Sequence, residues 1–568
     1  MSAQVLGNGS LSKFDVLVIG SGVGGGTVAD VLTRAGQKVL MLECGSNYFQ
    51  GIDDPDPAKP VPLYSNDELK IQIRNFIDPV PLVEPRSFRT SPSDGERSFV
   101  GDVNGLPKTV GGGTVHADLK LIRFRPTDFQ LGTLLAGQFP GTSFADWPVS
   151  YDQLEPFYGW AEQAMGVQGE AGADPIEPPR SVPYPMPPGQ PMYAGLLAKQ
   201  GGAKLGVTVF PYPSGVNSRP YGGRPPCIDC GFCDEYGCPV NAKGSPAVTT
   251  LRRALLSGNL QLWTQTKAVK LVVDGSGTQV TGVQAIGWDG APLSFTADRY
   301  LLAASPIEDA RLLYLSGSGD ALGNSSGQVG RNLTFHLETD VAGIFEQRLH
   351  TWRGRSTSHA ITDFRGAPND PNHPLCGVVE IGGPIGPLTE AQVYAAIPFD
   401  ALGTRLEALI RQSPLRDRVL GFTMHGEDAP QPTNRVDLDP ALRDLDGVPV
   451  PRVTYQNHAF ELSARAFYLP KLLDLLGAAG AKYSLVGPVD QIPSSAHIMG
   501  TLRFGDDPRT SVCDQAGRFH DIGNLYAADG CLFPTSSGFN PSLTIAALAA
   551  YVAASLVNPT SPTAALGS

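Results

Sequence analysis

The first organised pattern in the chain is the run Phe14–Gly20, FDVLVIG, short, apolar and rich in β-branched residues, as a buried parallel strand requires. Glycines follow at once. Apolar positions then recur at helical spacing over Thr27–Ala35, and a second apolar strand, Lys38–Leu42, ends at Glu43. Together these predict a β-α-β unit. Near the other end, Leu543–Val557 is Ala-rich and almost wholly apolar, which predicts a buried helix; it is shorter than the roughly 20 residues that span a bilayer. Glycine (66) and proline (50) are spread along the chain rather than gathered in a linker, which predicts many turns in one body. Pro-rich stretches at Asp53–Pro62 and Pro175–Pro191 read as long surface loops or crossovers, and 558–568 as a disordered tail. There is no internal repeat.

Gly20, Gly22 and Gly25 form G-x-G-x-x-G between the first strand and its helix. Gly20 allows the tight turn, Gly22 lets backbone approach a pyrophosphate, and Gly25 lets helix pack on strand. The helix N-terminus offers free N–H groups to phosphates, and Glu43 stands where a carboxylate accepts from a ribose. The alternative is a Gly-rich turn with no ligand, but strand, helix and acid stand in register. The pattern does not separate FAD from NAD. A second stretch, Thr109–Thr114 (TVGGGT), places Gly111, Gly112 and Gly113 in succession ahead of Val115, His116 and Ala117. Bare backbone there could lie against a flat ring, or form an ordinary loop.

Composition narrows the classes. The chain has 568 residues; length alone suggests three or four domains, and an intertwined two-domain enzyme also fits. Hydrophobic residues make up 41% and charged residues 17%, as in a globular chain. A net charge of −12 with no basic face argues against nucleic acid. Met1–Lys13 has neither a basic n-region nor an apolar h-region, so a cytoplasmic protein with no membrane partner and mostly reduced cysteines is expected.

Further segments carry a resemblance: Asp146–Tyr158 (DWPVSYDQLEPFY), Cys238–Lys243 (CPVNAK), Tyr300–Leu313 (YLLAASPIEDARLL), Val329–His336 (VGRNLTFH), Ala496–Thr501 (AHIMGT) and Asn524–Ala547 (NLYAADGCLFPTSSGFNPSLTIAA). With the two glycine loops, they resemble the glucose–methanol–choline (GMC) family of flavin oxidoreductases. The C-terminal part looks most like pyranose oxidases and bacterial glycoside 3-oxidases. The resemblance implies an α/β, Rossmann-like FAD/NAD(P)-binding domain with an α+β substrate domain on an antiparallel sheet, the p-hydroxybenzoate-hydroxylase-like architecture. It also implies a discontinuous FAD domain: 1–135, 196–340 and 496–557, with 136–195 and 341–495 forming the substrate domain. The segment 340–490 matches weakly, and in such families that is where substrate is chosen.

Alcohol oxidation removes a proton from oxygen and a hydride from carbon. A histidine suits the first step, and flavin N5 accepts the second. The resemblance assigns the base to His497 and makes Asn540 its partner at the substrate hydroxyl. Asn540-Pro541 also reads as a helix start, with Asn as cap and Pro as first helical residue. That helix would aim its N-terminus at the pyrimidine end of the flavin. Pro541, Thr544, Thr114, Asp529 and Gly530 join the cofactor contacts by the same resemblance. His116 falls where some members bond covalently to the flavin; covalent attachment and simple contact both stand.

Cys227, Cys230, Cys233 and Cys238 read C-x2-C-x2-C-x4-C. Metal-free packing is one reading, and zinc or an iron–sulfur cluster the other. The expected function is oxidation of a secondary hydroxyl of a pyranose sugar or glycoside to a ketone, with electrons passing to O2 or a quinone-like acceptor. The alternatives are a steroid, choline or long-chain alcohol as substrate, a flavin subunit relaying electrons through iron at Cys227–Cys238, and a non-catalytic FAD-binding protein.

Overall fold

A computed structural model of the chain describes residues 4–64, 84–234, 236–370, 372–383, 387–395, 399–493 and 495–566. The first strand forms over Val16–Ile19 and is buried throughout. It pairs in parallel with Val39–Leu42 on one side and Arg299–Leu302 on the other. Leu260–Trp263 and Leu525–Ala527 extend the sheet in parallel, and Val5–Gly7 closes it antiparallel. The two neighbours of Val16–Ile19 come from distant parts of the chain, so a crevice opens at its carboxyl end, where α/β sheets bind ligands.

The helix after it spans Val23–Arg34, four residues earlier than the periodicity predicts, with Gly24–Gly26 in its first turns. Glycine is a poor helix former, but tertiary packing overrides propensity here. A Cβ at Gly25 would collide with the Gly20 carbonyl oxygen, and one at Gly26 would lie 2.8 Å from Pro246 Cβ. The apolar C-terminal run forms the helix Ser542–Val557, buried along most of its length. The chain beyond it departs from the expectation of a disordered tail: Pro562–Leu566 makes a 3-10 turn, and Leu566 packs into the core with 9% exposure. Ala565 packs beside it, and hydrogen bonds from Asn558 N to the Ala554 carbonyl and from Ala564 N to the Ser561 carbonyl carry the chain on from the helix.

A second, antiparallel sheet runs Tyr483–Val486, Glu338–Ile344, Val419–His425, Val379–Gly382, Thr357–Ile361 and Phe210–Pro211. Phe210–Pro211, in a segment expected to serve the cofactor domain, is thus an edge strand of this sheet. Side chains alternate along each strand. Val341, Val379, Ile381, Leu420, Phe422 and Met424 face the helices Tyr193–Leu205 and Ala459–Ala479 in an apolar core. Glu338, Asp340, Glu380, Thr423 and His425 occupy the opposite face. A third sheet, Met499–Thr501, Arg331–Thr334, Arg435–Arg443, Pro449–Thr454, Arg86–Arg89 and Phe99–Gly101, delivers His336 and His497 beside that face. Among the described residues, no helix is long and apolar enough to cross a membrane.

Candidate active site

A cavity of about 460 Å³ runs from the crevice of the parallel sheet to the polar face of the antiparallel one. Its volume lies in the range of small-molecule and cofactor sites. Gly20 lines the start, with φ +99 and Ala303 backbone where a side chain would be. Gly22 and Gly112 line it where the two glycine loops meet; a Cβ on Gly112, whose φ is +64, would stand 2.6 Å from Gly22 Cα. Gly113, Thr114 and His116 continue the wall, with His116 closing a 3-10 turn over Gly112–Val115.

Gly111 does not line the cavity. Its N–H donates to Ser21 Oγ (3.1 Å) and so ties the two loops together. Glu43 lines the cavity and also braces the turn: it accepts from Ser21 N (3.0 Å), Ser21 Oγ (2.6 Å) and Gly45 N (2.7 Å). Gly25 serves packing alone. On the far wall Asp529 accepts from Ser305 N (2.8 Å) and Cys531 N (2.7 Å), with Gly530 beside it. Thr544, expected at the cofactor, is buried away from the cavity and shares a 2.7 Å hydrogen bond with the Tyr158 hydroxyl. The helical turn carries position 544 off the face that meets the cavity, which Pro541, Ser542 and Ile545 form instead.

Asn540 does not cap the helix. The cap position is Pro541, and the first helical bond runs from Ile545 N to Pro541 O. The Asn540 amide is taken up elsewhere. Its Nδ2 donates to Glu380 Oε1 (2.9 Å) and meets His497 Nε2 (3.2 Å), while Tyr212 donates to its Oδ1. The carboxylate only accepts, so the amide orientation follows. His497 Nε2 is then an acceptor and its proton sits on Nδ1, which donates to His336 Nδ1 at 3.0 Å. His336 in turn turns Nε2–H toward the Ser536 carbonyl (3.4 Å). One chain of bonds fixes both tautomers and sets the His497 Nε2 lone pair, shared with Asn540 Nδ2, on the cavity wall.

Burial, with the nearby imidazoles of His336 and His425, holds His497 well below the usual histidine range. Burial and His425 lower His336 to about 3. His425 behaves differently. Burial would lower it, but Glu380, 2.8 Å from its Nε2, outweighs burial and raises it. Burial would raise Glu380, yet Lys120 and His425 hold its carboxyl well below the usual range. Lys120 pairs with both Glu380 and Asp118. The result is a neutral imidazole at 497 beside a compensated set of charges.

Sequence reading missed Lys120, Glu380, His425 and Tyr212, which sit in loops and strands without a motif. The alternation of V-E-I-G and V-L-G-F-T-M-H is the one signal that could have turned Glu380 and His425 to a common face. It also missed Ser305, held at φ +84 with Oγ buried, unpartnered and on the cavity wall. A group of three or more thiols is not found among Cys227, Cys230, Cys233 and Cys238: the convergent His/Cys/Asp/Glu groups among the described residues lie elsewhere.

Comparison with known proteins agrees with this geometry. GMC oxidoreductase family profiles match residues 197–338 (N-terminal) and 430–549 (C-terminal). Paromamine 6'-oxidase of Streptomyces fradiae is 30% identical over 94% of this chain and 89% of its own length. The chain belongs to the GMC oxidoreductase family. Fructose dehydrogenase large subunit of Gluconobacter japonicus is 28% identical over 97% of this chain and 99% of its own. Among solved structures, pyridoxine 4-oxidase from Mesorbium loti superposes with a TM-score of 0.63 at 17% identity, covering 94% of this chain and 98% of that one, which speaks for the fold. This GMC enzyme is therefore an oxidoreductase acting on CH–OH donors, built on the family's FAD-binding fold. Its own residues fit the dinucleotide: two touching glycine loops bare the backbone, a helix N-terminus faces the cavity, and the orphaned Ser305 Oγ awaits an acceptor.

Proposed function

We propose that this GMC oxidoreductase oxidises a secondary hydroxyl of a pyranose sugar or glycoside to a ketone, with His497 as base. The observation that carries the substrate class is the polar wall opposite His497. Glu338, Asp340, Glu380, Thr423 and His425 share one sheet face at the cavity, which suits a ring bearing several hydroxyls and ill suits a steroid or long alkyl chain. The names of the Streptomyces and Gluconobacter relatives point to sugar-like alcohols as well.

The alcohol oxygen sits against His497 Nε2 and Asn540 Nδ2. His497 Nε2 takes the hydroxyl proton as the carbinol C–H bond breaks. Gly20, Gly22, Gly112, Gly113, Thr114, Glu43, Asp529, Gly530, Asn540 and Pro541 line the cavity where they would hold FAD, which when bound would supply the hydride acceptor. Asn540, anchored by Tyr212 and Glu380, keeps the alcohol oxygen in register with the base. The bond from Nδ1–H to His336 Nδ1 (3.0 Å) holds the ring in orientation while Nε2 gains the proton.

The test is anaerobic bleaching of the flavin absorbance by a panel of monosaccharides, glycosides, steroids and simple alcohols. Bleaching by sugars or glycosides supports the reading, and bleaching by steroids alone overturns it. Peroxide release in air separates O2 from a quinone-like acceptor. Acid precipitation of the holoenzyme decides the role of His116: a yellow pellet assigns covalent attachment there, and a colourless one leaves it a wall contact.

A further inference from the structure

Besides Ser305 Oγ, a second polar atom in the cavity wall has no partner. His425 is 3% exposed; its Nε2 is fixed on Glu380, while its Nδ1 is buried and makes no hydrogen bond. The atom nearest to it of suitable chemistry is Glu338 Oε1, 3.8 Å away, beyond hydrogen-bond reach. A gap of that size between two polar groups is the space for a third to bridge. Glu338 and His425 are register partners on adjacent strands, on the face that lines the cavity.

We propose that His425 Nδ1 and Glu338 form a subsite for a second hydroxyl of the substrate, so that the enzyme selects polyhydroxy rings by a group next to the reacting one. This rests on the reading of His497 as the base. The subsite is coupled to the base by short steps: His497 to Asn540, Asn540 to Glu380, Glu380 to His425, at 3.2, 2.9 and 2.8 Å. The ring centres of His425 and His497 are 5.0 Å apart, a spacing that two hydroxyls of one six-membered ring can span. A hydroxyl is the group that fits, because it both donates and accepts. It accepts from Nδ1–H when the ring is charged and donates to the carboxylate of Glu338. An ammonium group, a donor only, would face the imidazolium edge.

The groups around Glu338 are His425, Asp340, Glu380 and Lys120. Burial, against the pull of His425, raises Glu338 to about 7. Substrate affinity therefore changes between pH 6 and 8 through this carboxyl.

The experiment uses holoenzyme, wild type and two variants, Glu338→Leu and Glu338→Gln, each checked for an unaltered flavin spectrum. Stopped-flow flavin reduction is measured with methyl β-D-glucopyranoside and its 2-, 3-, 4- and 6-deoxy analogues. In the wild type, one analogue loses about 10- to 100-fold in second-order rate, the scale of an unmade hydrogen bond in a buried site. Glu338→Leu imposes a loss of the same order on the parent glycoside and no more than about twofold on that analogue, the non-additivity expected of groups that touch. Glu338→Gln retains most of the rate on the parent and loses the dependence on pH between 6 and 8. Equal losses on every analogue, or no loss on the parent, overturn the subsite. If the wild type leaves flavin unbleached by the parent and all analogues while oxidising other alcohols, the sugar reading fails, and the subsite with it. If Glu338→Leu acts equally on all analogues while the parent is a good substrate, the subsite alone fails.

Discussion

Lowering the pH from 7.5 to 5 should destabilise this enzyme, and His336 should carry a measurable share. Its ring is 2% exposed and bonded in its neutral form to His497 and the Ser536 carbonyl. Burial lowers it to about 3 from the ordinary 6.5. The folded-state value is the depressed one, so below 6.5 the unfolded chain binds a proton that the native chain refuses, and stability falls until pH reaches about 3. At pH 5 the ring stands one and a half units below its unfolded value, a cost of about 2 kcal/mol. His497 adds to the same loss. His425, whose value is raised, works in the opposite direction: its contribution grows as pH falls toward 6.5 and is complete below it. The difference between wild type and His336→Gln isolates one residue. Urea unfolding followed by tryptophan fluorescence at both pH values should show the wild type losing about 2 kcal/mol more than the variant. Parallel pH dependence in the two proteins would refute the argument.

His497→Ala should bind flavin normally and reduce it about 10²- to 10⁴-fold more slowly, as loss of a positioned base predicts; the limiting rate of wild-type reduction at saturating substrate, where the affinity change at Glu338 drops out, should stay level from pH 8 to 6.5, because His497 is held well below its ordinary value, and an acid limb centred at 6.5 in that limiting rate would contradict this. Lys120→Met leaves buried Glu380 with His425 alone as a cationic partner and should cost up to about 3–5 kcal/mol in urea unfolding at pH 7.5. Thr544→Val breaks the bond to Tyr158 and should cost about 1–2 kcal/mol, with flavin reduction within about twofold of wild type.

The cofactor half was legible because its requirements are local. The β-branched strand, the glycines at fixed offsets and Glu43 each follow from one stretch of chain, and each lines or supports the cavity. The place of His497 on the cavity wall was legible through its motif. The reading failed where position depends on helical phase: Asn540 reads as a cap by type, yet Tyr212 and Glu380 claim its amide, and Thr544 turns to Tyr158. Glu380, His425 and Lys120 were hidden for a different reason. They are distant in sequence and meet only because three strands and a loop converge, and no spacing rule marks such a meeting.

The order of strands in the parallel sheet bears on how much of the chain the enzyme needs before it can take up colour. Its edge strand Leu525–Ala527 and the helix Ser542–Val557 come after every other strand of that sheet in the sequence, yet Asp529, Gly530, Asn540 and Pro541 complete a wall whose opposite side begins at Gly20. A fragment that stops before Leu525 therefore holds only half of the cleft, and it should purify as colourless polypeptide.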